Sequence, residues 1–484
     1  IRGGIGSSDP IAIVAGASKA FFYASDNTSF KRLWVSNGTS EGTEFLKTTS
    51  GTMNANIDQL VSVGEIAYFR AYTESNGSEL WRSDGTQSGT YMVKDIYEGI
   101  GSSSPYDLTN VNGTLFFSAS DPINGRLLWK SDGTESGTVM VWASFFEPMR
   151  MTNVNGKLFF MAYSLDYGQE LWKSDGTESG TVMVKDICLG SASSDPDLLT
   201  NVNGTLFFTA NNGVNGRELW KSDGTGSGTI MVKDVYTGSN IHFAPSNLTN
   251  VNGTLFFVAI DEVHGHELWK SDGTESGTVM LKDIWNGESP STPSSLTNVN
   301  GVLFFTADNG VNGRELWKSD GTGPGTIMVK DIYTGSASSD AYVLTDVNGT
   351  LFFTADNGSN GVELWKSDGT ESGTVLVGDI YRSSVSSDPQ LLTNIHGTLY
   401  FEAFDGTYGQ ELWTAEATFS NHAPESITDS YVVIEDTTLS VPVTAGVRSN
   451  DNDADGDPTT VLKVSDASNG ILTLNTDGSF TYTP

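Results

Sequence analysis

Apolar positions along this chain fall into blocks that recur. Two adjacent aromatic residues appear at Phe21-Phe22, Tyr68-Phe69, Phe116-Phe117, Phe159-Phe160, Phe207-Phe208, Phe256-Phe257, Phe304-Phe305, Phe352-Phe353 and Tyr400-Phe401. A half-exposed strand alternates apolar and polar residues, and neighbours on a strand point to opposite faces. Adjacent rings therefore predict strands buried on both sides. Twelve residues beyond each pair stands the tryptophan of a Leu-Trp step, at Trp34, Trp81, Trp129, Trp172, Trp220, Trp269, Trp317, Trp365 and Trp413, spaced by 47, 48, 43, 48, 49, 48, 48 and 48 residues. Self-similarity at such a period signals a solenoid, a propeller or an array.

One unit can be read in full. Leu198 to Val202 is a short β-rich run, followed by Asn203-Gly204, a pair suited to a type I′ hairpin. Thr205 to Ala210 is a second strand, Asn211 to Gly216 a loop, Arg217 to Ser222 a third strand, Asp223 to Gly228 a turn, and Thr229 to Tyr236 a fourth strand. Four short antiparallel strands per unit predict an all-β chain in which nine blade-like repeats build a β-propeller. Nine exceeds the usual range of about four to eight blades, so an eight-bladed ring with a spare repeat and an open superhelix stand as alternatives.

The pattern breaks in two places. The third unit reads VMVWASFFEPMRM from Val139 to Met151, without the Val-Lys-Asp-Ile tail, and the ninth replaces its Ser-Asp-Gly-Thr turn with Thr414-Ala415-Glu416-Ala417. Equivalent repeats offer equivalent surfaces, so a partner is expected at a break. Trp142, Phe145, Phe146 and Met149 are the candidates, placed near the rim as part of an outer strand; packing beneath a shortened crossover is the alternative. After Ser420 the repeat ceases, and strands are expected at Ser430 to Ile434, Thr438 to Val443, Thr459 to Val464, Ile471 to Leu474 and Ser479 to Thr483. This gives a propeller over 1–420 and a partial second β module over 421–484. Ile1 to Pro10 lines up with Ile187 to Pro196, a post-strand connector, so the sequence reads as part of something longer, with targeting signals outside it.

Charge narrows the function. With 26 Lys and Arg against 59 Asp and Glu, net −33, there is no basic face for nucleic acid. No apolar run reaches the roughly 20 residues that span a bilayer, so no membrane insertion is expected within this segment. The single cysteine, Cys188, stands where other units have Tyr97, Tyr236, Trp285 or Tyr333, and reads as a packing residue.

The unit Glu-Leu-Trp-x-Ser-Asp-Gly-Thr-x-x-Gly-Thr resembles the ELWxxDGT-type repeats of large bacterial surface and secreted proteins over roughly residues 10–415. It departs from them at Arg32 and in the Leu127-Leu128 step in place of Glu, and at Asn37 in place of Asp. The tail, through Asn421 to Tyr431, Glu435-Asp436-Thr437, Asn450 to Asp457 and Asp477 to Tyr482, resembles the cadherin-like, immunoglobulin-like modules of giant bacterial adhesins. The resemblance implies an extracellular or cell-surface location and a non-catalytic adhesive or scaffolding role. Expected partners are a protein or glycan surface, or copies of the chain itself in a homo-oligomeric appendage.

Four groups invite chemistry. Asp451, Asp453, Asp455 and Asp457 crowd a Gly-containing loop and suit Ca²⁺, although Leu462 stands where an EF-hand needs its twelfth-position Glu; a solvated acidic loop is the alternative. The aspartates of the Ser-Asp-Gly-Thr turns, Asp84, Asp132, Asp175, Asp223, Asp272, Asp320 and Asp368, resemble the Asp-box turn of sialidase propellers, where the role is structural. His264-Gly265-His266 falls where other units carry Asn-Gly-Arg, which points to drift before a transition metal. The polar residues outside the repeat, Glu147, Arg150, Asp166 and His242, form no nucleophile–base pair, so catalysis is not expected.

Overall fold

The computed structural model describes the chain except residues 1–6, 17, 26–30, 47–58, 143–145, 238–243, 262, 382–383, 417–426, 452–460, 462, 464 and 466. It divides into two compact units: residues 1–369 with 376–417, and residues 418–484 with 370–375.

The first unit is a β-propeller of nine sheets. Among the described residues, eight have four antiparallel strands in chain order, and the ninth has three, Gln390–Ile395, Thr398–Phe404 and Gln410–Glu416. In blade 5 the strands, from the axis outward, are Asp197–Val202, Thr205–Asn211, Arg217–Ser222 and Ile230–Lys233. Each inner strand lies beside the inner strand of the next blade, and Ile11–Ala15 of blade 1 lies beside Gln390–Ile395 of blade 9. The ring is therefore closed with nine blades, which settles the choice against a spare repeat or a superhelix.

The paired rings work as their adjacency predicts. The first ring of a blade faces the following blade, and the second faces the preceding one. Phe159, Leu171 and Val184 of blade 4 thus form one core with Leu206, Phe208 and Trp220 of blade 5. The same arrangement recurs between blades 5 and 6 and closes between blades 9 and 1, where Tyr400 and Ile395 pack on Phe22, Trp34 and Ile13.

Belts of hydrogen bonds around the axis add to this packing. Thr152, Thr249, Thr297 and Thr345 each donate to the carbonyl of the next blade's inner strand at 3.1–3.4 Å. Asn201 and Asn250 donate backwards, to the carbonyls of Asn153 and Asn201 at 3.2 and 3.1 Å, while their own carboxamide oxygens accept the turn amides of Gly204 and Gly253 at 2.9 Å. Both central residues of that turn are left-handed, with φ of 48° at Asn203 and 86° at Gly204, as a type I′ turn requires.

Two sequence expectations need correction. The fourth strand of blade 5 ends at Lys233, short of Tyr236, because the Val235 amide donates to a buried Glu218 and leaves the ladder. The segment 139–151 does not form one rim strand. Val139–Trp142 is the outer strand of blade 3, and Phe146–Val154 is the inner strand of blade 4. Met149 therefore lies on the inner strand, opposite Met161.

In the second unit, Leu439–Val441, Phe480–Thr483 and Ile471–Leu474 form a three-stranded antiparallel sheet with Phe480–Thr483 central. Tyr431 packs edge-on against Phe480, with ring centroids 4.8 Å apart. Ser430 to Ile434 forms no strand. The strand expected at Thr459 to Val464 falls largely outside the described residues.

Candidate functional site

The polar signature of the repeat is occupied by its own turns. In blade 5 the Asp223 carboxylate accepts the Thr225 amide at 2.8 Å and the Thr225 hydroxyl at 2.7 Å. Thr225 Oγ1 in turn accepts the Gly228 amide, and the Thr229 hydroxyl donates to the Thr225 carbonyl. Ser222 pairs with Thr229 at 2.7 Å and accepts the Gly224 amide. Every fixed polar position of Ser-Asp-Gly-Thr-x-x-Gly-Thr thus has a partner within the turn. A Cβ on Gly228 would strike Asp223, which explains the second glycine. The Thr225 hydroxyl holds the Asp223 carboxyl below its ordinary range. In blade 1 Asn37 does the same work, accepting Thr39 through its amide and hydroxyl at 3.0 and 2.8 Å.

The glutamate before Leu-Trp is a buried clamp. Glu79 accepts the Ile96 amide at 3.0 Å, the Ser103 amide at 2.9 Å and the Ser103 hydroxyl at 2.6 Å, pinning the connector to the next blade. Glu170, Glu267, Glu315 and Glu363 hold their connectors alike. Burial pushes these carboxyls up: Glu218 to about 8, Glu170 and Glu315 to about 7. Blade 3 has Leu127 at this position and also lacks the connector the clamp would hold. The two losses go together. In blade 9 the N-terminal Ser8 takes the connector's place, donating to Glu411 at 2.7 Å, while its amide reaches the Gln410 carbonyl at 2.9 Å.

The outer-strand lysine bridges blades. Lys185, Lys233 and Lys282 donate to the carbonyls of Thr229, Thr278 and Thr326 in the next blade at 2.7–2.9 Å, and lie 5.7–6.0 Å from the ring centres of Trp220, Trp269 and Trp317. Trp142 occupies the lysine position in blade 3, paired with Leu128 as Lys233 is with Leu219. Its ring meets Trp172 of blade 4 at 5.7 Å. This candidate partner residue thus makes the inter-blade contact that lysine makes elsewhere, by ring packing. Met149 is half-buried. Phe145 and the Phe146 side chain lie outside the described residues.

Of the acidic loop, Asp451 is described and accepts the Ile427 amide at 2.9 Å; Asp453, Asp455 and Asp457 lie outside the described residues. Among the described residues no cluster of three or more His, Cys, Asp or Glu side chains is placed to hold a metal. His264 does the work of the loop asparagine it replaces. Its Nδ1 lies 3.0 Å from Asp261 and its Nε2 4.0 Å from Asp283, where Asn215 reaches Asp234 in blade 5. The Asp261 hydrogen bond raises the His264 pKa, whereas burial lowers that of His266. Cys188 is buried beneath Gly213, the slot that Trp285 fills beneath Gly310 and Tyr333 beneath Gly358. Glu147 and Asp166 are exposed, Arg150 pairs with Asp197 at 3.2 Å, and His242 is outside the described residues.

A surface feature escaped the sequence reading. Six residues beyond the second aromatic, the loop between strands two and three carries an aliphatic tip: Ile123, Val214, Val263 and Val311, each 62–88% exposed. Ile100 and Leu189 are 84% exposed on the inter-blade connectors. In a four-stranded meander these loops and connectors share one end of the propeller, so that end carries a broken crown of aliphatic side chains. A valine amid Asn and Gly in an otherwise polar loop was the available signal.

Residues 421–484 match the bacterial cadherin-like domain. No curated protein matches the chain. Among solved structures the chain is similar to a puromycin hydrolase (13% identity, TM-score 0.37, 72% of this chain and 59% of that one). It is also similar to prolyl oligopeptidase B from Galerina marginata (11% identity, TM-score 0.39, 76% and 57%) and to a puromycin-hydrolyzing peptidase from Mycobacterium tuberculosis (11% identity, TM-score 0.38, 72% and 58%). The chain spans less than two-thirds of each.

Proposed function

We propose that this chain is the non-catalytic binding head of a large secreted or cell-surface bacterial protein, a member of the ELWxxDGT-repeat group. The match of residues 421–484 to the bacterial cadherin-like domain carries this reading. That module is the stalk element, and its loop of Asp451, Asp453, Asp455 and Asp457 binds Ca²⁺. The propeller presents the aliphatic crown to a protein or glycan surface. Two observations support the division of labour: the repeated Asp and Glu residues are engaged in turns and connectors, while the crown is exposed.

The test replaces Ile123, Val214, Val263 and Val311 with Asp together. Protein and glycan arrays, with sedimentation for self-association, should show binding at least about tenfold weaker for the variant, while its melting changes little because these side chains are exposed. Unchanged binding, or turnover of an arrayed polysaccharide by the parent chain, would contradict the reading.

A further inference from the structure

The two ends of the propeller balance their carboxylates differently. At the end that holds the turns between strands three and four, cations accompany the acids. Asp223, Asp272 and Asp320 are held below the ordinary carboxylate range first by the hydroxyls of Thr225, Thr274 and Thr322, and further by Lys173, Lys221 and Lys270 of the preceding blade. The opposite end carries the aliphatic crown, and there the field is negative. Cys188, beneath the loop of Val214, has its thiol pushed up by burial and then by three carboxylates, Glu170, Asp186 and Asp195. The guanidiniums that open strand three turn inward: Arg126, Arg217 and Arg314 donate to the connector carbonyls of Ser104, Asp195 and Thr292 at 2.5–3.0 Å. His264 is enclosed by Asp261 and Asp283 at 3.0 and 4.0 Å. Meanwhile Glu74, Glu98, Asp166 and Glu288 stand exposed on the loops and connectors, Glu98 two residues from Ile100 and Asp166 beside the exposed Leu165.

We infer that the crown docks a basic, apolar polypeptide, a protein segment in which Lys or Arg is interleaved with aliphatic side chains. The inference rests on the reading of the propeller as a binding head and adds the chemistry of its partner. The aliphatic tips supply apolar area to remove from water, while the surrounding carboxylates speed encounter with a cationic partner and reject an anionic one. A neutral glycan would leave those carboxylates unanswered.

The test uses the full 484-residue chain and a fluorescent peptide of repeated Lys-Val-Ser-Leu units. Anisotropy should show saturable binding. Replacing Ile123, Val214, Val263 and Val311 with Asp makes the chain more acidic, so attraction by net charge alone would tighten binding; docking on the crown predicts binding about tenfold weaker. Neutralising Glu74, Glu98 and Glu288 to Gln and Asp166 to Asn should weaken binding severalfold at low salt, with the difference fading at high salt. A peptide with Glu in place of Lys should not bind. Equal or tighter binding to the Asp variant, binding of the Glu peptide, an unchanged neutralised variant, or crown-dependent uptake on phosphatidylcholine vesicles would overturn the inference. A crown-dependent partner on the arrays that is neutral or acidic would overturn it too while leaving the binding-head reading intact; loss of no partner on crown substitution would remove both.

Discussion

At the residue scale, the unusual group is the buried glutamate. Alternation along Arg217–Ser222 would let Glu218 face water, yet it is 3% exposed and binds the Val235 amide. A carboxyl whose pKa is raised on folding binds its proton more tightly folded than unfolded. Its contribution to stability is complete below the unfolded value and is lost as pH rises through the folded one. With Glu170, Glu218 and Glu315 raised to about 7 to 8, stability should fall as pH climbs from about 4.5 to 8. Differential scanning calorimetry should give a higher melting temperature at pH 5.5 than at pH 8.5, with the difference reduced in Glu218→Gln. A melting temperature that rises over this range would contradict the assignment.

At the scale of the element, the rigid unit is two blades meeting, because every large core spans a junction. Trp220 is 6% exposed between blades 4 and 5, so Trp220→Ala should cost about 3–5 kcal/mol. Trp413 is only half-buried, and Trp413→Ala should cost roughly half as much. Urea unfolding of both variants checks the ranking; equal costs would show that the ninth blade is as well packed as the rest. The strands, the I′ turn and the two-sided burial were legible in the chain because side-chain period and Asn-Gly turn chemistry are local. The Glu clamp was not, since its partners lie 17–24 residues away, although its loss at Leu127 alongside the missing connector was a visible clue. Trp142 read as an interface residue because its receptor, Trp172, lies in the next unit. In the C-terminal module, chelation should lower the melting temperature of the cadherin-like unit and leave the propeller transition unchanged. Calorimetry showing no Ca²⁺ effect on either transition would remove the proposed site.

For the whole molecule, the number of blades could not be read from the period, because eight and nine units share one repeat length. Ring size depends on the angle at which successive cores meet, and closure depends on contacts between the two ends of the repeat array. Here those contacts are specific. Ser8 reaches Glu411, the Gly16 carbonyl meets His396 at 2.6 Å, and Ile13 and Phe22 share a core with Ile395 and Tyr400. End-on electron micrographs of the chain test closure most directly. The account predicts a continuous ring of nine spokes; an open arc, or a ring of eight with one repeat outside it, would contradict it.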